Sequence, residues 1–75
     1  MPHVVVKLIP GKSEDQKARL AKQIVKDVAA ILDYGDEAVS VAIEEVQAED
    51  WAAKVYHPEI MAHPEKLYKK PGYTL

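Results

Sequence analysis

The chain has 75 residues, a formal net charge of −2 and no cysteine. A domain this small needs an added source of stability, and the lack of cysteine excludes disulfides and thiolate metal sites, so we expect oligomerisation to supply it. The weak negative charge gives no reason to expect a nucleic acid or a membrane surface as a partner. No apolar run reaches the roughly 18 residues of a membrane span, and a cysteine-free chain is compatible with the cytoplasm, which is the location we predict.

The first predicted element is a strand over residues 3–9. Its residues are mostly β-branched and almost continuously apolar, which is typical of a strand covered on both faces. Pro10 and Gly11 follow with turn chemistry.

A long helix is predicted next, over about residues 14–32. Ser13 and Gln16 have the spacing of a capping box, which marks a helix start. Apolar residues then recur at helical spacing and form one stripe: Leu20, Ala21, Ile24, Val25, Val28, Ala29 and Leu32. We expect the helix to end near Gly35, with glycine in the left-handed conformation.

A second strand is predicted over residues 39–46, where Val39, Val41 and Ile43 alternate with more polar positions. The order strand, helix, strand is a βαβ unit, whose two strands run parallel. The predicted fold class is therefore α/β (α+β), with one parallel strand pair and one long helix. Because both strands leave unpaired edges, we expect a second copy to extend the pair into a larger sheet.

The remaining residues predict short C-terminal helices within the same single domain of residues 1–75. Pro58 and Pro64 are each followed by a glutamate, so each is interpreted as the first residue of a short helix. His57 and His63 are six residues apart, which does not match the i, i+4 spacing of paired metal ligands on a helix. No metal site is predicted.

Pro2 is the first candidate for chemistry. Initiator methionine is normally removed before a small second residue, and its loss would leave a secondary amine at the start of an apolar strand. A free α-amino group titrates near 8, and apolar surroundings lower that pKa towards neutrality. Such a group suits general-base removal of a proton close to a carbonyl. The alternative is that Pro2 merely opens an edge strand, where proline is common.

The joint pattern resembles the 4-oxalocrotonate tautomerase family. The segments that carry the resemblance are MP at the start, GK in the first turn, SEDQK at the helix start and VSVAIEE in the second strand. The segment after Trp51, which ends in KKPGY, resembles the branch of that family that forms dimers.

The resemblance implies a βαβ protomer, a homodimer in preference to a hexamer, and Pro2 as the acid/base catalyst. It implies a cofactor-free proton shift between the enol and keto forms of a small-molecule 2-oxo acid. Lys12 stands where the family usually has an arginine that binds the substrate carboxylate, and Ser40 stands where hexameric relatives have a second arginine. Trp51 falls at the position of an aromatic wall over the proline.

These positions also have plainer interpretations. Lys12 is equally well a solvated turn lysine, Ser40 an outward polar residue of the strand, and Trp51 a packing residue of a small oligomer. Lysine lacks the bidentate fork of arginine, so we expect Lys12 to position a carboxylate more loosely. Because Ser40 supplies no second cation, substrates with one carboxylate, or with an aromatic or apolar group as in phenylpyruvate, are favoured. Two other functions remain open: a non-catalytic oligomeric binding protein on the same fold, and a hydratase or dehalogenase acting on an unsaturated acid.

Overall fold

The computed structural model describes residues 1–75, which divide into two compact units, residues 1–45 and residues 46–75. The first unit contains strand β1 (His3–Leu8), helix α1 (Glu14–Leu32), a 3-10 turn (Asp36–Ala38) and strand β2 (Ser40–Glu45). β1 and β2 form a two-stranded parallel sheet, and α1 is the crossover between them. The predicted βαβ arrangement is confirmed.

Helix α1 begins at the predicted capping box. The backbone N–H of Gln16 donates to Ser13 Oγ at 3.1 Å, and the backbone N–H of Ser13 donates to Gln16 Oε1 at 2.9 Å. Two otherwise unpaired donors of the first turn are thereby satisfied. Glu14 and Asp15 follow in the same turn, where negative charge is favoured by the helix dipole.

The end of α1 differs from the sequence prediction. Asp33, with φ of 60°, is the left-handed residue that ends the helix, whereas Gly35 is extended with φ of −76°. The backbone N–H groups of Asp33 and Tyr34 both donate to the carbonyl of Ala29. The prediction that Gly35 caps the helix was wrong because a short polar side chain such as that of aspartate also tolerates the left-handed region.

The strand register places α1 on one face of the sheet. Val4 lies opposite Val41, and Val6 lies opposite Ile43, so these half-buried residues share a face. Glu45 belongs to the same face, and its carboxylate is 3.3 Å from Lys17 of α1. The hydrogen bond from Lys17 to Glu14 and then that to Glu45 raise the Lys17 pKa above its ordinary value, although desolvation opposes them.

The other face of the sheet, here called the open face, is the one opposite α1. It carries three cross-strand pairs: His3 with Ser40, Val5 with Ala42, and Lys7 with Glu44. Val5 is 43% exposed, so the single chain does not supply the cover predicted for both faces of β1. One helix can cover only one face of two strands, and no side chain of residues 1–45 is fully buried.

The second unit is mostly helical. Helix α2 (Ala48–Trp51) continues directly into a π-helical segment (Ala52–Met61), and a 3-10 turn (Pro64–Lys66) follows. Its small core consists of Val55 and Tyr56. None of the helices combines the length and the apolar character that crossing a membrane requires.

The two prolines of this unit have different positions. Pro64 begins the 3-10 turn, as predicted for a helix start. Pro58 lies inside the π-helical segment, so the prediction that it begins a helix was wrong. The backbone there follows the wider i→i+5 pattern, in which the N–H of Ala62 donates to the carbonyl of His57 at 3.0 Å. Proline is tolerated because its ring collides with the carbonyl four residues back only in the tighter α-helical pattern.

Gly11 and Gly72 offer a matched test of the turn after β1. A Cβ added at either position meets no atom within 4 Å, but only Gly11 has a positive φ, of 133°. Gly11→Ala is therefore expected to lower the free energy of unfolding by about 1–3 kcal/mol through backbone strain. Gly72→Ala should change it by less than about 0.5 kcal/mol.

Urea unfolding at one fixed protomer concentration measures both variants. Equal losses in the two variants would contradict the assignment of strain to Gly11.

Candidate functional site

Pro2 lies immediately before β1 and is half-buried. Its carbonyl oxygen accepts a hydrogen bond from the backbone N–H of Ser40 at 3.1 Å. This bond extends the pairing of β1 with β2 by one step towards the amino terminus. The ring of Pro2 is consequently held at a defined position relative to the start of β2.

Ser40 is joined to the same end of the sheet by its side chain. Its Oγ lies 2.7 Å from Nδ1 of His3, the residue opposite it in the strand register. Both residues are exposed on the open face. The structure therefore joins Ser40 to Pro2 by one backbone hydrogen bond and to His3 by one side-chain hydrogen bond.

The sequence alone favours only a structural role for His3. Strand alternation separates its side chain from that of Pro2, and nothing in the sequence pairs it with Ser40, which lies 37 residues further along the chain. The contact between His3 and Ser40 becomes evident only when β1 and β2 are paired in parallel with His3 opposite Ser40.

Lys12 is not brought close to Pro2 within one chain. It lies in the turn beyond the carboxyl end of β1, whereas Pro2 lies at the amino end. Six strand residues at about 3.3 Å each separate the two ends by roughly 20 Å. The Lys12 side chain is exposed and makes no ion pair within the chain, so it is available to an anionic group.

Trp51 belongs to the second unit, where it ends α2 and is half-buried. Its indole N–H donates to the hydroxyl of Tyr73 at 3.1 Å. The Tyr73 ring lies 5.7 Å from that of Tyr56, and His57 packs against Tyr56 with an edge-to-face geometry at 5.0 Å. Tyr73 is therefore the residue that orients the Trp51 side chain.

The second unit also contains a cavity of about 280 Å³. Its lining is mostly apolar, and includes Ile60, Met61, Leu67 and Pro71, with Lys70 as the cationic side chain. The side chains of His, Asp and Glu do not form a group of three or more that could hold a metal ion.

Comparison with known proteins identifies relatives of this chain. A family model described as "Tautomerase enzyme" matches residues 2–58. A probable tautomerase of Xylella fastidiosa (strain 9a5c) is 41% identical over 73 residues, which cover 97% of this chain and 89% of that protein. Tautomerase PptA of Enterobacter sp. (strain 638) is 41% identical over 76 residues, which cover the whole of both chains.

A solved structure supports the same conclusion about the fold. The crystal structure of TomN, a 4-oxalocrotonate tautomerase homologue in the tomaymycin biosynthetic pathway, is 32% identical, with a TM-score of 0.65. The match covers 67% of this chain and 77% of TomN. The predicted tautomerase fold is confirmed, and the chain belongs to the 4-oxalocrotonate tautomerase family of the tautomerase superfamily, a family of isomerases.

Proposed function

We propose that the chain is a cofactor-independent tautomerase that interconverts the enol and keto forms of a 2-oxo acid, with the amine of Pro2 as general base. The observation that carries this proposal is the position of Pro2. It is the residue at which the family match begins, and a backbone hydrogen bond from Ser40 holds it to the start of β2.

The proposed reaction needs one group that both accepts and returns a proton. After removal of Met1, the Pro2 nitrogen takes the proton from the enol oxygen at C2. The resulting ammonium returns it to C3, so the C2–C3 double bond is replaced by a C2–O double bond and a new C–H bond. A free α-amino group titrates near 8, and apolar surroundings that bring its pKa towards neutrality suit such an amine to both steps.

Binding is assigned to three further residues. Lys12 attracts the carboxylate as a point charge, Ser40 supplies hydrogen bonding near the base, and Trp51 shields the reacting atoms from water. With serine at position 40, the chain lacks a second cation there for a dicarboxylate. The substrate class favoured is a monocarboxylate with an aromatic or apolar group, such as phenylpyruvate.

The site is proposed to be completed by a second copy of the chain. Roughly 20 Å of β1 separates Lys12 from Pro2 in one protomer, which is too far for one small substrate to contact both. The two-stranded sheet also has an unpaired edge on each side. A homodimer supplies Lys12 from one protomer and Pro2 from the other. Two further predictions are unchanged: residues 1–75 form a single domain, and the protein is located in the cytoplasm.

The proposed base is tested first through Met1. Chain whose intact mass shows that Met1 is absent should convert the enol of phenylpyruvate to its keto form. Chain that retains Met1 has an amide at the Pro2 nitrogen and should lose about 10²–10⁴-fold in rate, the usual contribution of general-base catalysis. Ultraviolet absorbance of the enol gives the rate.

The retained-Met1 chain is the matched control because every side chain is the same in both preparations. Equal rates in the two preparations would exclude Pro2 as the base. Rates no better than buffer in both would favour the non-catalytic binding protein.

Lys12 is tested by paired substitutions. Lys12→Gln removes the charge and should raise KM for a 2-oxo acid about tenfold, which is a loss of about 1.4 kcal/mol in binding. Lys12→Arg supplies a bidentate fork and should lower KM below the wild-type value. Initial rates over a range of substrate concentration separate KM from kcat.

Lys26→Gln removes an exposed lysine from α1 and controls for the change in net charge. If Lys26→Gln raises KM as much as Lys12→Gln, the effect belongs to overall charge and Lys12 has no specific role.

A further inference from the structure

The hydrogen bond between His3 and Ser40 indicates a role for His3 that neither the sequence nor the family match assigns. His3 is the first residue of β1, adjacent to Pro2 in the chain, and its ring is exposed on the open face. Ser40 Oγ contacts Nδ1 of this ring at 2.7 Å. The Nε2 atom, on the far side of the ring, is therefore left to meet a ligand.

The other pairs of the open face cannot fill this role. Val5 and Ala42 are apolar, and the next pair along the strands, Lys7 and Glu44, consists of opposite charges 4.0 Å apart. His3 is thus the polar side chain of this face that lies at the Pro2 end of the sheet and is held by a neutral partner. A neutral partner leaves the ring free to bind an anion.

The direction of the hydrogen bond between Ser40 and Nδ1 is coupled to which ring nitrogen of His3 carries the proton, since a hydroxyl can donate or accept. A neutral imidazole has one donor nitrogen and one acceptor nitrogen, and a serine hydroxyl can donate to the acceptor. When Ser40 donates to Nδ1, the ring proton lies on Nε2. The hydrogen-bond partner of one ring nitrogen thus decides whether the other nitrogen is a donor or an acceptor towards a ligand.

We propose that Nε2–H of His3 donates a hydrogen bond to the carboxylate of the 2-oxo acid, and that Ser40 is the positioning residue that sets the tautomer and orientation of the ring. This inference rests on the proposed function. The role of His3 also refines the proposed function. A neutral donor near Pro2 can bind one carboxylate without the second cation that a dicarboxylate needs.

The kinetic test uses Met1-free protein and phenylpyruvate enol. His3→Leu removes the donor and should raise KM about tenfold while kcat changes less than about threefold, as expected for the loss of one hydrogen bond to a charged group. His3→Gln places an amide N–H near the former Nε2 position and should recover part of the loss. His63→Leu, a histidine substitution in the second unit, should leave KM unchanged.

Ser40 is tested with two side chains of nearly equal shape. Ser40→Val removes the hydroxyl and should raise KM in the same direction as His3→Leu, whereas Ser40→Thr keeps the hydroxyl and should restore a low KM. Both replacements are β-branched and suit a strand. If Ser40→Val and Ser40→Thr give the same KM, Ser40 does not position the ring.

The tautomer of His3 and its contact with a ligand can also be measured by NMR, independently of the catalytic rate. In protein with ¹⁵N-labelled histidine, the long-range ¹H–¹⁵N spectrum should show the Nε2-protonated tautomer of His3, and Ser40→Val should mix in the other tautomer. Addition of phenylpyruvate should shift the Nε2 resonance of His3 and leave that of His63 in place.

The outcomes are distinguishable. If Met1-free protein is active and His3→Leu keeps the wild-type KM, the inference about His3 is overturned and the proposed function stands. If Met1-free protein is inactive, the proposed function fails and the imidazole spectrum decides: a ligand-dependent shift of Nε2 supports the role of His3 in anion binding, and its absence overturns it.

Discussion

The parallel pairing of β1 with β2 is the constraint on which the rest of the site depends. It joins the amide of Ser40 to the carbonyl of Pro2, and it sets the Ser40 hydroxyl against the ring of His3. The same direction of β1 places Lys12 at the opposite end of the sheet from Pro2. The parallel pairing therefore places the proposed base, Pro2, close to His3 and Ser40. It also places all three far from Lys12, the residue proposed to bind the carboxylate. In the proposed function, a single chain therefore holds the components of the site without assembling them.

Local signals account for the parts of the fold that the sequence predicted. The capping box at Ser13 and Gln16 marks the start of α1 because it satisfies backbone donors within four residues. The apolar stripe marks the extent of the helix because burial repeats every 3.6 residues. The parallel pairing follows from the handedness of βαβ crossovers, which is nearly invariant. Pro2 was proposed from the chemistry of a terminal secondary amine and then by resemblance. Lys12, Ser40 and Trp51 were proposed by resemblance, since no single spacing among them specifies chemistry.

The parts that were not predicted depend on contacts between distant residues or on permissive backbone. Asp33 ends α1 in the left-handed region, although glycine is the commoner residue there. Pro58 lies within a π-helical segment, which the local sequence around Pro58 does not predict. The contact of Ser40 with His3 requires the strand register, and the orientation of Trp51 depends on a tyrosine 22 residues away. Sequence periodicity reports burial and local hydrogen bonding, and it carries no information on such pairs.

The most direct test of the account is a titration of the Pro2 nitrogen in Met1-free protein with ¹⁵N-labelled proline. The account predicts an amine pKa below the ordinary value of about 8, equal to the pKa at which kcat/KM for phenylpyruvate enol rises with pH. The direction follows because the half-buried position disfavours the charged amine and because only the neutral amine is a base. An amine that titrates at or above its ordinary value, or a rate that follows a different pKa, would contradict the assignment of Pro2 as the base.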